Sequence, residues 1–262
     1  MRKTVLVRLC STVVGIAALA YPQITTAQQS APRVVATTAW TAAFAYAAGA
    51  EQVDLLAPIE MRHPPEYELR ATDLQRLNRA DLVVYAGYER MVDRLRQAIG
   101  AQAVPAVQIN TTHTQQLIRE AVMAIATALG TEEQARINLR EIDAFYDDWR
   151  QELSRQGAGS HRIIIHNFQV PLMEDLGITA AGRFGPAPLE AQHIVTLSRT
   201  RGTIIIDNWH NPVSRPLQES LPGAQVATFL NFPGHGGTIT LLDVLSHNRE
   251  ALSATVSPRS GR

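Results

Sequence analysis

Four histidines carry the chemistry on offer. His63, His113, His166 and His210 each stand a few residues past an apolar run that reads as a β-strand, two in each half of the chain. Four neutral imidazoles, or three with one carboxylate, make a closed tetrahedral site suited to Zn²⁺. Three carboxylates, Glu66, Glu68 and Asp207, lie close to these histidines in sequence. Asp207, three residues before His210, is expected to orient an imidazole rather than to bind metal itself.

Each histidine also has a plainer reading. His63 precedes two prolines that stiffen its turn, and it could simply touch solvent there. His166 follows Ile163, Ile164 and Ile165 and could be a satisfied core histidine, while His210 and His113 could be solvated loop residues. His235 sits in FPGHGGT, which reads as a glycine-rich turn closing over a cleft, with a reserve ligand as the alternative. His161, His193 and His247 are read as surface residues.

Other chemistries are excluded by what the chain lacks. Its one lysine, Lys3, and its one cysteine, Cys10, both lie in residues 1–27, which read as a cleaved secretory signal with a basic start and an apolar middle too short to span a bilayer. The residues before Cys10 do not resemble a lipoprotein box, so a soluble, periplasmic protein is expected. Beyond residue 27 there is no thiolate for a metal or disulfide, and no lysine for a P-loop or a Schiff base. Removing residues 1–27 takes away three basic residues and no acidic one, leaving 21 basic against 24 acidic, a net charge of −3. With no basic patch, nucleic acid is not an expected partner.

The elements that must position the histidines follow from periodicity. Strands are expected over 34–38, 53–59, 82–86 and 104–109 in the first half, and over 162–165, 178–181, 203–206 and 224–230 in the second. Helical patterns fall between them, among them 88–99 after the third strand and 115–129 after the fourth. The continuous apolar strands LVVYA, RIII and TIII are those of parallel sheets covered on both faces. Residues 131–156 form the longest helical pattern and carry the most charge, as a connecting helix would. The expected fold is therefore α/β, two parallel-sheet lobes joined by a long helix, with metal in the interlobe cleft. The division is a signal peptide at 1–27, an N-terminal lobe at 28–130, the connecting helix at 131–157 and a C-terminal lobe at 158–262.

Several stretches, in this order, resemble the solute-binding proteins of zinc and manganese ABC importers, often called cluster A-I: VVATTAWTAAFAYAAGAEQVDLLAPI, YELRATDLQRLNRADLVVYAGYE, HNFQVPLMEDLGI, GPAPLEAQHIVTL and LLDVLSHNREAL. The resemblance implies two lobes, a bound divalent metal and an ABC permease as partner. It places His166 on the family's second-lobe histidine. The family's first ligand stands two residues before a Tyr-Glu pair, where this chain has Pro65, with His63 two residues earlier. The DPHxW motif is absent, and His113 holds its place. Asn231 stands where the family has an aspartate, so His210, with Asp207 beside it, is expected to take over.

Taken together, the expected metal set is His63, His113, His166 and His210, with Asp207, Glu68 and His235 as supporting or alternative groups. The bound solute is Zn²⁺, or another divalent metal such as Mn²⁺, held by a monomer without catalysis. A zinc-dependent hydrolase is the alternative, with Glu66, Glu68 or Asp207 as base, although no HExxH or GxSxG motif is present. A metal scavenger without a transporter is another.

Overall fold

A computed structural model describes residues 31–256. The signal sequence expected at residues 1–27 lies outside them. Strands β1 (Val34–Ala36), β2 (Val53–Leu55), β3 (Leu82–Tyr85) and β4 (Ala106–Gln108) form one sheet in the order β2-β1-β3-β4. Strands β5 (Ile163–His166), β6 (Gly182–Phe184), β7 (Ile204–Asn208) and β8 (Gln225–Phe229) form a second in the order β6-β5-β7-β8. Every pairing is parallel. The inner strands are buried on both faces, as Val34, Val35 and Ala36 in β1 and the isoleucine runs of β5 and β7 require.

Helices α1 (Ala39–Ala47), α2 (Ala71–Leu77), α3 (Val92–Gln102) and α4 (Gln115–Leu129) belong to the first sheet. After α5 (Glu132–Arg155), helices α6 (Val170–Asp175), α7 (Ala191–Ser198), α8 (Arg215–Ser220) and α9 (Leu241–Val256) belong to the second. The fold is the expected one, two parallel-sheet α/β lobes with a long helix between them.

Helix α5 ties both lobes together. Near its start, Thr131 Oγ1 donates to Ala48 O at 2.6 Å and Asn138 Nδ2 donates to Ala47 O at 3.0 Å, satisfying carbonyls left free at the end of α1. Near its end, Glu152 accepts from Arg249 Nε at 2.6 Å and from Ser253 Oγ at 2.5 Å on α9. Its inner stripe, Leu139, Ile142, Tyr146, Trp149 and Leu153, is buried at helical spacing. One continuous apolar core results, running from Phe44 and Ile118 in the first lobe through Trp149 to Ile163 and Phe229 in the second.

Several strands are shorter than expected, β2 ending at Leu55 rather than at 59, and two elements are displaced. The strand expected at 178–181 forms instead at Gly182–Phe184. Gly177, at φ +83°, ends α6, and Ile178 N–H donates back to Met173 O at 2.8 Å, so its side chain packs into the core from a helix end. A Cβ on Gly182 would sit 2.6 Å from Leu197 Cδ2, so glycine there lets α7 pack on the strand without displacing that side chain. The helix expected from Tyr88 starts at Val92, because the buried Glu89 carboxylate accepts the backbone N–H groups of Ala86 and Gly87 and holds a turn there.

The shared core predicts a single cooperative unfolding transition. In urea, Trp40, Trp149 and Trp209 fluorescence should report one midpoint. Trp149→Ala, which removes a fully buried ring packed on Phe145 and Phe229, should lower stability by about 3–5 kcal/mol.

Candidate functional site

Both sheets have the same topological break. β1 lies between β2 and β3, and β5 between β6 and β7, so the chain leaves neighbouring strand ends in opposite directions and opens a crevice at the carboxyl edge. Loops from the two sheets line one cleft of about 610 Å³. His63 after β2, His113 after β4 and His210 after β7 all line it. His166 does not, although Asn167 beside it does.

A line of rings crosses the cleft. Thr38 caps α1 by accepting from Thr41 N–H, which sets Trp40 at the helix start, and Trp40 Nε1 donates to Thr111 O at 2.8 Å. Its ring lies 4.3 Å from that of His113 and meets Phe232 edge-on at 5.9 Å. Phe232, from the loop after β8, covers the His210 ring at 3.6 Å.

Burial governs the imidazoles. His113 is 6% exposed, and its Nε2 is buried with no hydrogen-bond partner. Desolvation pulls its pKa down to about 3. His210 is pulled to about 3 as well, by desolvation first and then by His235, Arg62 and His63 nearby, while its Nδ1 accepts weakly from Asn231 N–H at 3.4 Å. Both rings are therefore neutral at pH 7.

His166 is fully buried, and both its nitrogens are engaged. Nδ1 accepts from Phe168 N–H at 3.2 Å, so Nε2 carries the proton toward Asn211 Oδ1 at 3.3 Å. Desolvation lowers its pKa, opposed by the Asn211 contact and by Asp207. The backbone of Gly185 lies so close that a Cβ there would collide with the ring.

The other expected residues fall in different places. His63 is exposed at the start of the Pro64–Glu66 turn, within the cleft lining. Asp207 faces the loop rather than the cleft. It accepts from the N–H groups of Asn208, Val213 and Ser214 and from Ser214 Oγ at 2.5 Å, which braces the loop carrying His210. Glu68 is exposed outside the cleft lining, 3.8 Å from Arg90. His235 stacks on Trp209 at 4.0 Å, and Arg62 covers that indole at 5.0 Å while donating to Trp209 O at 2.8 Å. Asn231 lines the cleft and accepts from Gln169 Nε2.

Three of the four histidines thus share a cleft without sharing a point. Among the described residues, no three His, Cys, Asp or Glu side chains are gathered so as to hold a metal ion. Trp40 and Phe232 hold His113 and His210 as parts of a ring line, and Asn211 occupies His166. The sequence reading did not single out Trp40, Phe232, Arg62 or Asn211. Asn211 and Arg62 directly adjoin His210 and His63, and that adjacency was the available signal.

No protein-family model and no curated protein matches the chain. Solved structures do share its fold. The laminin-binding protein Lmb of Streptococcus agalactiae, described as a bifunctional protein with adhesin and metal transporting activity, superposes with a TM-score of 0.66 at 15% identity, covering 86% of this chain and 100% of that one. The solute-binding protein FpvC of Pseudomonas aeruginosa, solved with Mn²⁺, gives 0.65 at 17% identity over 86% and 97%. Zn(II)-bound AdcA of Streptococcus pneumoniae gives 0.61 at 16% identity over 87% of this chain and 58% of that one. At these identities the likeness is one of fold.

The depressed pKa values predict a pH dependence. Between pH 6.5 and about 3 the unfolded chain takes up protons at positions 113 and 210 that the native chain refuses. Stability from these sites is complete above pH 6.5 and falls as pH falls through that window. His113→Leu should flatten this slope in urea unfolding from pH 7 to 4. At pH 7 it should stay within about 1 kcal/mol of wild type, because the lost stacking on Trp40 is offset by removal of an orphaned buried nitrogen.

Proposed function

We propose that this chain is an exported, periplasmic solute-binding protein that captures a divalent metal ion, zinc foremost, in the cleft between its lobes and delivers it to an ABC permease. The observation that carries this reading is His113. A buried imidazole nitrogen without a partner costs about 1–3 kcal/mol, and this one belongs to a cleft that two further histidines line. Metal binding is a use that would repay its retention.

His113, His210 and His63 are the proposed ligands, and His166 joins them if Asn211 releases its Nε2. Asp207 and Glu68 support the loops rather than the ion, and His235 braces Trp209. Imidazoles that stay neutral well below pH 7 bind metal without competition from protons. An all-nitrogen set favours zinc over manganese, which prefers oxygen donors. The fold shared with metal-bound FpvC and AdcA supports the reading. A monomer acting without catalysis fits it. Among the carboxylates considered as a hydrolytic base, only Glu66 lines the cleft.

Calorimetric titration of the metal-stripped protein with Zn²⁺ tests the proposal. One ion per chain, bound tighter than about micromolar, roughly −8 kcal/mol, is expected. His113→Ala and His210→Ala should each weaken binding by about 100-fold or more, the upper range for disturbing only a ligand's supporting groups. If the wild-type chain binds no divalent metal at micromolar strength, the proposal fails.

A further inference from the structure

Resting on metal capture, the dimensions and chemistry of the cleft point to a more specific cargo. We propose that the chain takes its metal as a complex with a small anionic carboxylate chelator, bound whole between the lobes, rather than as a bare ion.

Space is the first argument. Metal–nitrogen bonds of about 2.0–2.1 Å close around a volume smaller than the roughly 30 Å³ of one water. The cleft holds about 610 Å³, within the range of about 300–1,000 Å³ typical of organic ligand sites. An ion alone leaves nearly all of it unused.

Donors are the second. The imidazoles lining the cleft are not gathered into a three-ligand group among the described residues, and Asn231 beside them offers only a neutral amide. A chelator brings the missing donors already attached to the metal, and one or two imidazoles then finish the sphere.

Charge is the third. Arg62 and Glu66 are the formally charged residues in the cleft lining, and their charges offset each other. A bare Zn²⁺ would keep two positive charges uncompensated between apolar walls, which is costly. A dianionic chelator makes the complex neutral.

The walls suit the organic part. Tyr88, 55% exposed, projects from the first lobe and Phe168, 47% exposed, from the second, both lining the cleft. Pro65, Pro171 and Pro186 extend this apolar surface, which an ion would never touch. Aromatic faces of this kind accept a flat ligand. Asn211 and Asn231 use their side-chain oxygens on His166 and Gln169, which leaves their amide N–H groups to donate to carboxylate oxygens.

The test uses the metal-stripped protein and two dianionic probes, pyridine-2,6-dicarboxylate and iminodiacetate. Each is titrated alone, as its preformed 1:1 zinc complex, and against Zn²⁺ alone, followed by gel filtration with metal and chelator assayed in the protein peak. At least one complex should bind about ten-fold or more tightly than Zn²⁺ alone, with chelator and metal co-eluting 1:1 with protein only when both are present. A Tyr88→Ala/Phe168→Ala double variant should lose that preference and the retained chelator while binding Zn²⁺ alone as before. If both chelators merely draw zinc away and elute free, the chelate proposal is overturned and metal capture stands. If zinc binds neither alone nor in complex, both fall.

Discussion

The ring line from His113 through Trp40 and Phe232 to His210 is the contact on which the cleft depends. It joins loops from opposite sheets, since Trp40 opens α1 while Phe232 follows β8. Stacking of this kind adds about 0.5–1.5 kcal/mol per pair beyond buried area, and it excludes water from both imidazoles. The same packing that binds the lobes together therefore desolvates the histidines. Architecture and protonation state have one cause.

That arrangement works against stability in places. A buried nitrogen without a partner on His113, and two imidazoles prevented from protonating, are features that an apolar side chain would remove. They persist on a robust foundation. The α5 stripe runs one core through both lobes, so these local costs are set against a large packed body. A shared core also limits how far the lobes can swing, which favours a cleft largely formed before any ligand arrives.

Much of the architecture was legible in order and kind. Parallel strands buried on both faces leave unbroken apolar runs, as in VVA, LVVY and the two isoleucine triplets, and such runs need no tertiary knowledge to read. Helices α4 and α5 were legible from their 3.6-residue stripe. The sixth strand was not, because Ile178 is apolar for a different reason: it plugs the end of a helix. Tyr88 likewise misled, since the turn that delays α3 is held by Glu89, whose role emerges only when its carboxylate meets two backbone N–H groups.

For the site, the sequence by itself determined the donor types. With no cysteine or lysine beyond residue 27, the available chemistry is imidazole and oxygen, placed at strand ends where a parallel sheet opens. Only the tertiary structure decided which histidines share the cleft. Sheet order brings residues 63, 113 and 210 to one lining, and ring packing then sets their angles and their water. His166 was the best matched by resemblance, yet Asn211, a neighbour 45 positions away, occupies its nitrogen. Asp207, expected to orient an imidazole, instead braces the loop that carries His210. Sequence spacing records the element a side chain stands on, whereas the direction it faces depends on partners that only folding brings within reach.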